Sequence, residues 1–488
     1  MHKIRIWWEN WVKTIEDSPI PLGYYALGFV AAIYIENFLE IFSIFPKIPF
    51  KLFAADDISF FPQAISIALW HVHCLLWWVT MILAMIIIMA VAGRRPIAAV
   101  TRFVLSFSLT VVLVPIIDLI VSGGKGISIH YINPTQGLAA FLPSKGVTYG
   151  EFALLEIMTV VSVGYLLLKR TSYFRTLLAL AAISAVTVAL FTLNYLAIGV
   201  FKFAALNVAP SAMPTILTRL FCIALWGETI IFLFLFDRET FKNILASYAW
   251  RNLIPIALFF ILGIALARHG AVEYIEQNLL TFILSLIVIS NAWLLYNFKP
   301  KANGTLWAGV YFLAALTALC ALAINFITFF ILIPSAAIIL ICRLKPWRIN
   351  RIRVLARFIN AGVLYLVMLL GQQFAGSDIA HTPAIFNAYF LIMPGLFLNF
   401  LDLDASAEDK NILALFGAEA AKTFCALMIF IAFTALPFVF LDKTLLFFMV
   451  PAGAYGAFLC FKRGPQTPAI VNLFSLTLAF LIFWLQWF

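Results

Sequence analysis

The stretch LNFLDLDASAEDKNILALFG (Leu398–Gly417) places Asp402, Asp404, Glu408 and Asp409 within eight residues of a chain that is only 11% charged. An apolar run precedes it and another follows. The acids therefore mark an edge between two buried segments, and the reading of the second half of the chain turns on that edge. Two readings are open. Ser406, followed three residues later by Asp409, approximates a capping box that opens the next helix in a solvated loop. Alternatively, the carboxylates hold a metal ion. If the stretch is helical, Asp404 and Glu408 are i,i+4 neighbours on one side, and Asp402 and Asp409 are i,i+7 on another. Acids this close repel one another unless a cation or Lys410 offsets them.

The surrounding composition is that of an integral membrane protein. The 488 residues are 64% hydrophobic with a mean hydropathy of +1.04, more apolar surface than a soluble core absorbs. The net charge of +10 fits basic cytoplasmic loops and implies no nucleic-acid partner. The six cysteines have no metal-type spacing and sit mostly in apolar runs, which gives no disulfide framework. No cleavable signal peptide is visible: the first twenty residues carry Trp7, Trp8 and Trp11 among charges, without an apolar core.

An all-α polytopic fold with about fifteen transmembrane helices follows from the apolar segments. Six lie at about 22–44, 63–92, 103–121, 151–168, 174–198 and 212–236. Nine more lie at about 251–268, 277–297, 304–320, 322–342, 355–372, 383–400, 412–439, 444–461 and 469–487. With the N-terminus in the cytoplasm, inner loops and ends hold 24 of the 32 Lys and Arg, and outer ones hold 7. The C-terminus then lies outside. The heaviest inner loop is RLKPWRINRIRVLAR (Arg343–Arg357), with six. The polar connector DRETFKNILASYAW (Asp237–Trp250) divides the chain into a six-helix membrane domain, residues 1–250, and a nine-helix domain, residues 251–488.

In the nine-helix half, Glu273, Glu276, Asp378 and Asp442 fall at expected outer edges. On the inner side Asp402, Asp404, Glu408, Asp409 and Glu419 remain, so an inner-face Mg²⁺ site must draw on the opening stretch, whose carboxylates are the oxygen donors that Mg²⁺ prefers. This half resembles the UbiA superfamily of intramembrane prenyltransferases. The likeness rests on LKPWRINRIRVLARFINAG (Leu344–Gly362), similar to the family's loop after its fourth helix, and on LDLDASAEDKNILALFG, similar to its second Asp-rich motif. The nine-helix count and the inner placement of both loops agree with it. The family's first motif, Asn-Asp-x-x-Asp-like, should end the second helix of this half. SNAWLLYNFKPKANGTLW (Ser290–Trp307) stands there instead, with Asn291 matching the leading Asn but Ala292 and Leu295 at the acid positions.

The resemblance implies a UbiA-like helical bundle. It also implies an enzyme that moves a polyprenyl group from its diphosphate to an acceptor, with Mg²⁺ helping the diphosphate leave. Asp402, Asp404, Glu408 and Asp409 are then the metal ligands, with Asp404 and Glu408 at the core of the motif. Asn291, Lys299, Lys301, Arg348 and Arg351 would contact phosphate, the bases standing where acids are absent. The alternative is a non-catalytic protein that binds or carries an isoprenoid lipid at a degenerate site. The bilayer and a polyprenyl diphosphate or related lipid are the expected partners, with no protein partner indicated. A bacterial inner membrane is the expected location.

The resemblance does not extend to residues 1–250. There, ionisable groups fall inside apolar segments: Glu36, Glu40, His71, His73, Asp118, Glu151, Glu156, Arg219 and, deeper, Glu228. They read either as an outward-facing polar cavity, with Arg219 paired to Glu36 or Asp118, or as a hydrogen-bonded network that fixes helix packing. His71 and His73 are two apart and face nearly opposite sides of a helix, which argues against both ligating one metal.

Overall fold

The computed structural model describes residues 2–44, 60–122, 132, 135, 141–143, 147–203, 213–247, 250–268, 270–297, 304–325, 327–334, 353–376, 384–400, 417–462 and 467–487. Among them the secondary structure is helical, with a single isolated bridge between Pro143 and Val147. In lipid a backbone amide finds no water, and a helix satisfies its donors and acceptors within its own segment.

The chain divides into two compact units, residues 1–243 with 300–312, and residues 244–299 with 313–488. The first begins with α1 (His2–Glu16), which carries exposed Ile6, Trp7 and Trp8 and a buried Val12. That sidedness, rich in Trp and charge, is the pattern of a helix lying in the membrane interface. Its C-terminal end is pinned: the Glu16 carboxylate accepts from Tyr165 Oη at 2.6 Å and pairs with Lys169, and its carbonyl accepts from Arg102 Nη1 at 3.0 Å. Then come α2 (Leu22–Ile44), α3 (Phe60–Gly93), α4 (Ile97–Ser108) and, after a 3-10 turn at Leu109–Val112, α5 (Leu113–Ser122). They are followed by α6 (Tyr149–Leu168), α7 (Tyr173–Phe203), α8 (Met213–Phe236) and the short polar α9 (Arg238–Ser247). The α3 segment is the core of this unit. It packs against α2, α4, α7 and α8, and 72% of its span is buried, against 39% or less for each other span of the unit.

The second unit contains α10 (Trp250–Ala267), α11 (Ala271–Gln277), α12 (Leu279–Asn297) and most of α13 (Gly304–Ile324). It continues with α14 (Arg353–Phe374), α15 (Ala384–Phe400), α16 (Ala418–Val439), α17 (Leu446–Phe461) and α18 (Thr467–Trp487). Packing closes a ring: α10 on α14, α14 on α15, α15 on α16, α16 on α17, α17 on α18, and α18 back on α10. Phe259, Phe260, Met368, Cys425, Ile429 and Leu445 are fully or almost fully buried in its core. At the turn between α16 and α17, Asp442 accepts from Thr444 N and Oγ1 and from Trp484 Nε1. The Thr444 bonds hold the Asp442 carboxyl below its ordinary range.

Nine helices among the described residues are long and apolar enough to cross a membrane, or up to ten if the bent pair formed by Leu253–Ala267 and Ala271–Gln277 is one span. Six of the nine correspond to the six segments expected in the first half, and three to the last three expected in the second. In the middle of the second half, helices α10, α12, α13, α14 and α15 fall on the expected segments 251–268, 277–297, 304–320, 355–372 and 383–400, and the segment 322–342 lies partly outside the described residues. Pro255 and Pro394 lie inside helices of this region, and each removes a helical donor.

The α10–α14 crossing depends on two glycines. A Cβ at Gly263 would collide with the Met368 carbonyl oxygen, and one at Gly371 with the Phe260 carbonyl oxygen. The helices thus meet backbone to backbone, each through the other's small residue. By contrast, a Cβ at Gly362, also in α14, meets nothing within 4 Å. Gly263→Ala and Gly371→Ala are each expected to destabilise the detergent-solubilised protein by about 1–3 kcal/mol, because a carbonyl cannot yield as a side-chain tip does. Gly362→Ala is expected to be neutral or stabilising by up to about 1 kcal/mol. Thermal unfolding of the three variants measures the contrast.

Candidate functional site

In the second unit, Asn291 sits in α12, fully buried. It lies six residues before the helix ends at Asn297, a depth of about 9 Å at the rise of an α-helix. Lys299, Lys301, Arg348, Arg351, Asp402, Asp404, Glu408 and Asp409 lie outside the described residues.

Helix ends that flank those segments are described, and two of them, the start of α14 and the end of α15, share one end of the unit. Gly395, five residues from the end of α15, abuts the ring of Phe358, which is in the second turn of α14. The start of α14, just after Arg351, is therefore beside the end of α15, just before Asp402. At the other extremity of α14, Phe374 packs on Phe282 near the start of α12, with ring centroids 6.2 Å apart. The start of α12 therefore lies at the end of the unit opposite Arg353 and Phe400. That end is tied by Arg268 Nε to Ala375 O at 3.1 Å, Tyr274 Oη to Phe374 O at 2.9 Å, and Ala271 N to Gln486 Oε1 at 2.6 Å. The last helix of the chain finishes there, away from the candidate segments.

Between α10, α15, α16 and α18 lies a cavity of about 40 Å³, lined by Phe259, Phe390, Met393, Phe433, Phe474 and Leu478 among others. Its two hydroxyls are used: Tyr389 Oη donates to Ala432 O at 2.7 Å and Thr477 Oγ1 to Leu473 O at 2.8 Å. The lining suits a hydrocarbon. Its volume falls well short of the roughly 300–1,000 Å³ of a small-molecule pocket, so a prenyl chain would need helices α15 and α16 to part.

In the first unit, four of the ionisable residues of the apolar segments, Glu36, Glu40, Asp118 and Glu151, lie within electrostatic reach of one another in a chain, whereas Glu156 is exposed. Glu36, Asn37 and Glu40 project from the buried face of α2, with 1%, 0% and 5% of their surface exposed. Glu36 accepts a hydrogen bond from the Trp78 indole and lies within electrostatic reach of Glu40 and Glu151; Glu151 is within reach of Asp118 and Glu40. Two of these carboxylates have structural work. Asp118 Oδ1 accepts from Gly150 N at 2.8 Å. That bond sits where α5 meets α6, because a Cβ at Gly150 would strike the Val114 carbonyl. Glu151 closes a capping box: its Oε2 accepts from Thr148 N at 2.7 Å, and Thr148 Oγ1 accepts from Glu151 N at 3.1 Å. This box was not read from the sequence, although Thr-Tyr-Gly-Glu at 148–151 is its pattern.

The two histidines separate as their spacing requires. His73 is buried and its Nδ1 lies 2.8 Å from Thr218 Oγ1 on α8, whereas His71 stacks on Tyr34 of α2. Arg219, expected opposite Glu36 or Asp118, is half-buried on α8. Among the described residues, no three His, Cys, Asp or Glu side chains form a group that could hold a metal ion.

Asp118→Ala leaves the buried Gly150 amide without its acceptor and is expected to cost about 1–3 kcal/mol. Asp118→Asn retains an acceptor oxygen and is expected to cost less. The comparison is made by thermal unfolding, and equal losses in the two variants would contradict the assignment. Comparison of the chain with known protein families, with curated proteins and with solved structures finds no match.

Proposed function

We propose that the second unit is a UbiA-like intramembrane prenyltransferase, moving a polyprenyl group from its diphosphate to an acceptor at the cytoplasmic end of the bundle. The observation that carries the reading is the pairing of two helix ends. The start of α14 and the end of α15 share one end of the unit, and in the sequence they adjoin the segments that hold Arg348 and Arg351 and the four acids. The motif order of the sequence and the apolar cavity between α10, α15, α16 and α18 support it further.

On this reading the diphosphate is held by the ammonium groups of Lys299 and Lys301 and the guanidiniums of Arg348 and Arg351, whose fork geometry matches phosphate oxygens. Asn291, about 9 Å inside the end of α12, orients the donor where its diphosphate meets its hydrocarbon. Asp402, Asp404, Glu408 and Asp409 supply the hard oxygen donors that Mg²⁺ takes, and the bound ion would neutralise charge on the departing diphosphate. The low-dielectric interior shields the allylic end of the donor from water. The N-terminus lies in the cytoplasm and the C-terminus outside, in a bacterial inner membrane.

The test is incubation of the purified protein with radiolabelled geranylgeranyl diphosphate, with and without Mg²⁺. Saturable binding that falls at least tenfold in Arg348→Ala/Arg351→Ala is expected. So is Mg²⁺-dependent diphosphate release that is lost in Asp404→Asn/Glu408→Gln. Binding without metal dependence and without release would replace the enzyme by a carrier of isoprenoid lipid. No binding would remove both.

A further inference from the structure

A carboxyl in the first unit is left over once its neighbours are accounted for. Asp118 and Glu151 spend their oxygens on backbone donors that join α5 to α6 and cap α6. Glu36 accepts from the Trp78 indole of α3 instead of from a backbone donor. One of its oxygens, Oε2, is buried without a hydrogen-bond partner, and Asn37 beside it has both amide atoms, Oδ1 and Nδ2, in the same condition. Glu36, Glu40 and Asn37 fall within an arc of about 100° on α2. That arc is the buried one, continuing Phe29, Ala32 and Ile33 toward the interior of the unit.

The surroundings set the chemistry. Against α2 pack α3, α4, the 3-10 turn and α5. From α3 come the Trp78 indole, a hydrogen-bond donor to Glu36, and Cys74, within electrostatic reach of Glu36 and Glu40; His71 of the same helix stacks on Tyr34. From α4 comes Arg102, whose Nη1 is directed to the Glu16 carbonyl. The 3-10 turn contributes no ionisable group, and α5 contributes Asp118. Behind α5, α6 brings Glu151 within reach of Glu36, and α8 carries Arg219.

Several negative charges cannot all persist in so dry a place, so the cluster must take up positive charge. The described His, Cys, Asp and Glu side chains do not converge as metal ligands. The hydrogen ion needs no such convergence. Bound to Glu36, it removes the charge and turns an unpartnered acceptor into a hydroxyl donor, beside an amide that offers an unpartnered acceptor.

We propose that Glu36, flanked by Asn37 and Glu40 on the buried face of α2, is an exchangeable proton-binding site of the six-helix unit. The site belongs to a unit that the prenyltransferase reading does not use, and it stands or falls independently of that reading.

A hydrophobic carbodiimide tests it, because the reagent adds to a protonated carboxyl in an apolar setting and leaves a stable mass tag. The full-length protein in liposomes is treated with dicyclohexylcarbodiimide between pH 6 and pH 9, and the tagged residue is located by mass spectrometry. The expected result is a tag on Glu36, at a rate that falls at least tenfold as the pH rises and does not respond to 100 mM Na⁺. Glu36→Gln removes the tag from that peptide. Glu36→Asp retains it at the same position, which covers the case in which Glu36→Gln does not fold. Absence of the tag from folded protein, when denatured protein accepts it, would overturn the proposal. Protection by Na⁺ at constant pH would also overturn it, making the cluster a sodium site.

Discussion

A polar group inside a bilayer must find its partner within the protein, and this constraint organises both units. It selects helices for the backbone. It also explains the many hydroxyls that fold back on their own helix, such as Thr80 to Leu76 O, Thr101 to Ile97 O and Thr317 to Leu313 O, each at 2.7 Å. Where a polar group cannot be satisfied locally, it joins two elements, as Asp118 does by accepting the Gly150 amide and as Glu16 does by gathering α1, α4 and α6. Atoms that satisfy neither condition stand out against this background, among them Glu36 Oε2 and both amide atoms of Asn37 on one helix face.

Helix association in lipid has little hydrophobic driving force, so close backbone approach takes its place. Gly263 and Gly371 provide it reciprocally at the α10–α14 crossing, and Gly150 does so between α5 and α6. The second unit builds its ring from such contacts and from aromatic packing, including Phe260 on Phe374 and Phe259 on Phe474. Because α14 is clamped to α10 near Gly371 and touches α15 at Phe358, its axis fixes which helix ends share a side.

Hydropathy made the first half legible: its six apolar segments are six helices long enough to span a membrane. In the second half the apolar segments 251–268, 277–297, 304–320, 355–372 and 383–400 are likewise helices, while 322–342 lies partly outside the described residues. Periodicity correctly separated His71 from His73. Asp118 was legible as a buried acid but not as the acceptor of Gly150, because an amide thirty-two residues away leaves no mark in local sequence. The reciprocal glycines were equally hidden, since a close approach depends on a partner that only the tertiary fold supplies. Asn291 was singled out by motif position and is fully buried. The basic and acidic members of that candidate site lie outside the described residues, so their reading rests on the sequence and on the helix ends that flank them.

The central claim is that a prenyl diphosphate binds in the second unit with its charged end toward the start of α14 and the end of α15. Photo-crosslinking with a benzophenone-bearing prenyl diphosphate, followed by peptide mapping, tests it most directly. The account predicts adducts within residues 251–488, on the helices that line the ring, suppressed by excess unlabelled diphosphate. Adducts confined to residues 1–250, or adducts that excess diphosphate does not suppress, would contradict it.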